Sequence, residues 1–244
     1  MKLYCQSPAW GGTTIYRQSP YFTGIMGKHS WLSFDHGDYD FLLCNDPDRL
    51  PLSLKSFQRE KLILILQENP NVWAPEPDYL AKFGTIISPF PITPPHNTHL
   101  IIAPAAIPWF YGIPFKTNTG LLHNPLKSRC ELDALANKMP FKKKKLLSLI
   151  TSGKAALPGH RWRLEIAQAL QTYFGPEIDI FGFGHKPLSD KATGLDDYKF
   201  SITIENDNSD HYWTEKLSDC LIGGCVPIYS GSAMAQAYLD WSFP

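Results

Sequence analysis

Between Asp197 and Gly231 the chain reads DYKFSITIENDNSDHYWTEKLSDCLIGGCVPIYSG, an order of residue types that leaves few folds open. Phe200, Ile202 and Ile204 alternate with polar residues, the two-residue period of a strand. Glu205-Asn206 closes that strand, and Asn208, Ser209, Asp210 and His211 form a polar loop. Thr214 is placed to cap a helix whose first turn holds Glu215 and Lys216. Leu217, Cys220 and Leu221 give that helix an apolar stripe at i, i+3 and i+4. Gly223-Gly224 ends it, and Val226–Tyr229 is a second short strand. The order strand, loop, helix, strand defines a βαβ unit. Its helix start offers unpaired backbone N–H groups and a positive dipole end, a place for a diphosphate, and Lys216 adds a full charge there. The same residues also suit an ordinary βαβ unit whose caps are only caps.

The rest of the chain extends the pattern. Strands are expected at Met1–Cys5, Tyr39–Cys44, Lys61–Gln67 and Gly84–Ser88. The unbroken apolar run Leu62–Leu66 fits a strand buried on both faces of a parallel sheet. Arg49–Glu60 is expected as a crossover helix and Asp78–Phe83 as a short one. Thr117–Arg129 reads as connector and Cys130–Lys138 as a helix. Leu146–Thr151 and Ile178–Phe183 are further strands, flanking a helix over Arg161–Tyr173 with Trp162, Ile166, Ala169, Leu170 and Tyr173 on one stripe. Two β/α series imply an α/β fold of two domains, residues 1–118 and 119–244, with the boundary within 116–130. Prolines crowd between Pro70 and Pro125, which excludes long helices there.

Charge and cysteine content narrow the function. Lysine plus arginine equals aspartate plus glutamate, 23 each, so the basic excess of a general nucleic-acid binder is missing. No apolar run reaches membrane-spanning length, and MKLYCQSPAW lacks the apolar core of a signal peptide. The five scattered cysteines suggest neither a disulfide framework nor a zinc site. Asp46-Pro47-Asp48 reads as a turn, so no metal is required, although stimulation by a divalent ion stays open. The Lys142–Lys145 run reads as the solvated entry to a strand.

The string Tyr198-Lys199-Phe200, Glu205-Asn206, Thr214-Glu215-Lys216 and Gly224-Cys225-Val226-Pro227-Ile228 resembles the donor-binding motif of glycosyltransferase family 10, the α-1,3/1,4-fucosyltransferases. Trp213 stands where that motif usually has valine. The stretch SGKAALPGHRWRLEIAQAL resembles the family's R-x-x-[FYLI]-x-x-x-L helix, with Arg163 at the arginine and Arg161 as a weaker candidate one register away. LILILQENPNVW resembles the family's strand that ends in [FT]-x-E-[SN]-P, with Glu68 at the glutamate. The resemblance implies a GT-B-like fold, two Rossmann-like domains facing a central cleft. It implies an inverting enzyme that moves L-fucose from GDP-fucose to a glycan hydroxyl.

Under that resemblance Lys216 and Arg163 meet the phosphates, and Asn206, Tyr212 and Glu215 contact the ribose, base or fucose. Glu68, at the carboxyl end of a buried strand, is the expected general base. The plainer roles are a helix-start carboxylate for Glu215, an aromatic anchor for Tyr212 and a turn cap for Glu68. Two other functions stay open: a transferase of the same fold using another nucleotide sugar, or a catalytically silent nucleotide- or sugar-binding domain. Family members elsewhere carry an N-terminal membrane anchor, so a cytoplasmic protein of bacterial or viral origin is expected, in a minimal or truncated version.

Overall fold

The computed structural model describes residues 1–6, 18, 25–32, 39–45, 57–105, 109–115, 133, 142–182 and 184–239. They belong to two compact units: Met1–Pro108 with Ser209–Tyr212 and Ala233–Pro244, and Trp109–Asn208 with Trp213–Ser232. The expected boundary at 118/119 lies outside the described residues, as do Asp46-Pro47-Asp48, the Thr117–Arg129 connector and all but Asp133 of the Cys130–Lys138 helix.

The first unit holds β1 (Lys2–Gln6), β2 (Ile25–Met26), β3 (His29–Leu32), β4 (Phe41–Asn45), β5 (Leu62–Ile65), β6 (Thr85–Ser88) and β7 (His99–Ile102). Their order is β2-β3-β1-β4-β5-β6-β7. Every pairing is parallel except the β2–β3 hairpin, which turns at Gly27 with φ 59°. The run at Leu62 lies inside this sheet. Leu62, Leu64 and Leu66 join a core with Leu42, Phe83 and Ile86, while Ile65 turns to another with Leu3, Leu43 and Ala105. Burial on both faces is why this strand shows no alternation.

Three strands, β2, β3 and β7, go beyond the sequence expectation. In β7 only Leu100 is partly buried, because the strand is the sheet's edge and its composition follows no core. The expected helix over Arg49–Glu60 is described only from Phe57, and there Arg59–Lys61 forms one 3-10 turn leading into β5. Arg59 fixes that turn by donating to the carbonyls of Ala81 (2.8 Å) and Asn97 (2.9 Å) and to the Thr98 hydroxyl (2.6 Å). The short helix α1 spans Pro77–Leu80.

The second unit holds β8 (Lys145–Ile150), β9 (Ile178–Phe181), β10 (Tyr198–Ile204) and β11 (Val226–Ser230), all parallel, in the order β11-β10-β8-β9. Helix α2 (Pro158–Phe174) follows β8 and α3 (Glu215–Ile222) follows β10. Ala167 packs with Leu147, Leu149, Ile178, Ile180, Ile202 and Ile204, against which Ile166, Leu170 and Phe174 also rest. The α2 stripe therefore differs from the expected one. Trp162 is 40% and Tyr173 83% exposed, and Arg163 is buried with Ala167. The rotation follows from Arg163, whose side chain is turned inward by a bond to Asn206. In α3, Leu217 and Cys220 are buried as expected, but Leu221 is exposed and Asp219 is buried.

The lysine run before β8 is tied to the protein rather than gathered as a patch. Lys143 donates to the carbonyls of Leu195 (3.1 Å) and Gly223 (2.6 Å), and Lys144 lies 3.4 Å from Asp197. Lys145 donates to Asp179 at 2.8 Å, and Asp179 also accepts from Lys186 and from the Tyr198 hydroxyl at 2.5 Å. Burial works against the Asp179 charge. The three donors outweigh it and hold the carboxyl well below the usual carboxylate range. A depressed native pKa gives stability that is full above the ordinary carboxylate pKa and is lost as pH falls below it. Asp179→Ala is therefore expected to cost about 2 kcal/mol at neutral pH by removing the acceptor of the Tyr198 O–H. Denaturant titrations at neutral pH and at about pH 3 check this: the difference between the two proteins should shrink at the lower pH.

Candidate functional site

In the second unit β8, β10 and β11 are neighbouring parallel strands, so the loops after them leave from the same end of the sheet. Helix α2 starts after one loop and α3 after another, which brings helix starts to the carboxyl ends of the strands.

Glu205, the first residue after β10, is fully buried and organises the start of α3. Its Oε1 accepts the Thr214 N–H at 2.8 Å, and its Oε2 accepts the Thr214 hydroxyl at 2.7 Å and the Lys216 ammonium at 2.9 Å. Thr214 Oγ1 in turn accepts from the Lys216 backbone N–H (3.4 Å) and its Nζ (2.7 Å), the cap read from the sequence. Two bonds hold Lys216 Nζ from the protein side, and an ammonium has a third N–H to give. Burial disfavours its charge, but Glu205 and Glu215 outweigh burial and raise its pKa, so Lys216 is a permanent cation.

Arg163, 6% exposed, donates from Nη1 to Asn206 Oδ1 at 2.6 Å. Gly159, in the first turn of α2, lets the helix lie against the Asn206 backbone: a Cβ there would stand 2.4 Å from the Asn206 carbonyl oxygen. Lys216, Arg163, Asn206 and Glu215 are thus all carried by one unit. His160, one turn before Arg163, reports the local field. Burial lowers its pKa first, and the cations Arg163, Lys154 and Lys216 lower it further, the signature of positive potential. Arg161 is exposed and donates to the carbonyls of Ala155 and Ala156, each at 3.3 Å.

Glu215 is held by a residue the sequence reading missed. Lys191, 8% exposed in a 3-10 turn before β10, donates to Glu215 Oε1 at 3.0 Å and to Asp219 Oδ2 at 2.6 Å. Burial pushes the Glu215 carboxyl up, but Lys191 and then Lys216 outweigh it and hold it down at about 2. A lone lysine in a polar loop carries no periodic signal, so nothing in the sequence marked Lys191.

The first unit carries the other two predicted residues. Glu68 is half-buried three positions past β5. The turn at Pro70 is closed by Asn69, its Oδ1 accepting the Asn71 N–H at 2.7 Å and its carbonyl accepting from Val72 and Trp73. Tyr212 is 2% exposed, its ring 5.2 Å from that of Phe90. Within the first unit Tyr212 thus packs on Phe90.

A parallel α/β unit with an arginine, a lysine and helix starts at the carboxyl ends of its strands has the design of a Rossmann-like anion-binding domain. Residues 140–242 match the family model "Glycosyltransferase family 10 (fucosyltransferase) C-term". That stretch is thus similar to the C-terminal domain of that glycosyltransferase family. It is 31% identical over 107 residues to a "Putative fucosyltransferase-like protein" of Arabidopsis thaliana, an alignment covering 43% of this chain and 20% of that protein. The chain therefore spans only a small part of the curated relative it matches. Among solved structures it is similar to an α1,3-fucosyltransferase with GDP-fucose (18% identity, 97% of this chain, 70% of that chain, TM-score 0.47). The same enzyme class with GDP gives 18% identity, 97% and 69% coverage and a TM-score of 0.48. No helix among the described residues is long and apolar enough to cross a membrane.

Proposed function

We propose that the chain is an inverting fucosyltransferase that takes L-fucose from GDP-β-L-fucose and joins it to a glycan hydroxyl in α linkage. The observation that supports this most is the pairing of Lys216 with buried Glu205 at the start of α3, in the same unit as Arg163 on Asn206. Lys216 and Arg163 would neutralise the departing diphosphate, with Arg163 able to grip two oxygens at once. Asn206 and Glu215 would bind the nucleoside or sugar. Tyr212 would contribute by fixing the loop that delivers them. Glu68 would take the acceptor proton while the acceptor oxygen bonds to the anomeric carbon and the bond to GDP breaks. The proposal includes a GT-B-like assembly of the two units, no required metal, and an oligosaccharide acceptor. Thermal shift against a nucleotide panel tests the donor. A ligand at 100 times its Kd adds about 2.7 kcal/mol of stability. GDP and GDP-fucose should raise the midpoint and UDP and ADP should not; equal shifts with all four would point to another nucleotide sugar.

A further inference from the structure

The second unit contains a buried charge relay outside the family motif. Asp219 is 1% exposed in the middle of α3. Its Oδ1 accepts the backbone N–H groups of Phe110 and Tyr111, each at 2.7 Å, and its Oδ2 accepts Lys191 at 2.6 Å. The same ammonium lies 5.2 Å over the Phe110 ring and donates to Glu215 at 3.0 Å. The Lys191 side chain is 10% exposed, Asp219's 2% and Glu215's 18%. One cation therefore joins a carboxylate fixed in the core to the one that has some access to solvent. A fully structural ion pair would need only Asp219, whose second oxygen already neutralises Lys191.

We propose that Lys191 is a positioning residue for ligand binding: it fixes Glu215, ionised and in one rotamer, as the acceptor for the hydroxyl or amide donors of the nucleoside or sugar. The inference rests on the donor-site reading above. A carboxylate repels phosphate oxygens and accepts from O–H and N–H groups, so Glu215 serves the uncharged part of the ligand while Lys216 and Arg163 serve the anion. Lys191, Lys216, Asp219, Glu205 and Arg163 are charged groups whose fields meet around Glu215 and Lys216. With Lys191 present, Glu215 stays ionised at any working pH. Without it, burial is opposed by Lys216 and a backbone hydrogen bond, and the carboxyl takes up a proton more readily as pH falls.

The test compares GDP, which carries sugar hydroxyls and base N–H donors, with inorganic pyrophosphate, which has neither sugar nor base, by calorimetry on the full chain. Removing Lys191 alone strands Asp219, so Lys191→Met is paired with Asp219→Asn, whose amide oxygen can still accept from Phe110 and Tyr111. In Lys191→Met/Asp219→Asn, GDP affinity should fall about tenfold, or about 1.4 kcal/mol, with pyrophosphate affinity within about twofold of wild type. The GDP loss, taken as the ratio to wild type at each pH so that the titration of the phosphate cancels, should deepen from pH 8 to pH 5. Lys191→Arg should recover most of the GDP affinity. Parallel losses for both probes, or a pH-independent loss, would make Lys191 merely structural and overturn the proposal. Failure of wild type to bind GDP at all would instead overturn the donor reading, and this inference with it.

Discussion

Lys216→Met is expected to remove GDP binding from the measurable range and to lower kcat/KM by about a thousandfold or more, the scale of losing one preorganised group at a developing charge. The effect has two parts that a single variant mixes. Among the described residues the ammonium is the only cation bonded to Glu205, whose side chain is 0% exposed. Stripping it leaves a buried carboxylate held by Thr214 alone, a defect of about 3–5 kcal/mol in stability. The double variant Glu205→Gln/Lys216→Met separates the parts, because the neutral amide can still accept from Thr214. It should regain most of the unfolding free energy and none of the GDP affinity. If the double variant binds GDP as wild type does, Lys216 holds the loop and not the donor.

Glu68→Gln should have the opposite profile. A positioned general base contributes about a hundredfold to ten-thousandfold to rate, and kcat should fall on that scale. GDP affinity should stay within about twofold, since the variant leaves every residue of the second unit untouched. Stability should hardly change, because Glu68 is only half-buried and the turn beside it is capped by Asn69. Lys216→Met thus loses binding and rate together, and Glu68→Gln loses rate alone. That split in kcat against donor affinity is what distinguishes a base from a structural acid. Undiminished turnover in Glu68→Gln would remove this residue from the chemistry.

The parts of the fold that the sequence made legible are those where one physical rule dominated. The alternation of Phe200, Ile202 and Ile204 defined β10, the continuous run at Leu62 defined a strand covered on both sides, and Thr214 was identifiable as a cap. Side-chain facing on α2 was not legible. An apolar-stripe rule places Trp162 and Tyr173 inward, and it cannot anticipate that a bond between Arg163 and Asn206 turns an arginine into the interior. The same rule put Leu221 in the core where Asp219 lies, because an aspartate in a helix interior is normally exposed. Of the candidate donor site, the motifs indicated Arg163, Asn206, Tyr212, Glu215 and Lys216. They gave no sign of Lys191, which is more than twenty positions from Glu215 in the chain and meets it only through the folded sheet.

The central claim is transfer, not binding. It is tested most directly by incubating the full chain with GDP-fucose and a panel of oligosaccharide acceptors, measuring GDP release together with the mass of the acceptor. The account predicts acceptor-dependent GDP release and an acceptor heavier by one fucosyl group, both lost in Glu68→Gln. GDP bound tightly across the panel with no acceptor ever modified would contradict it.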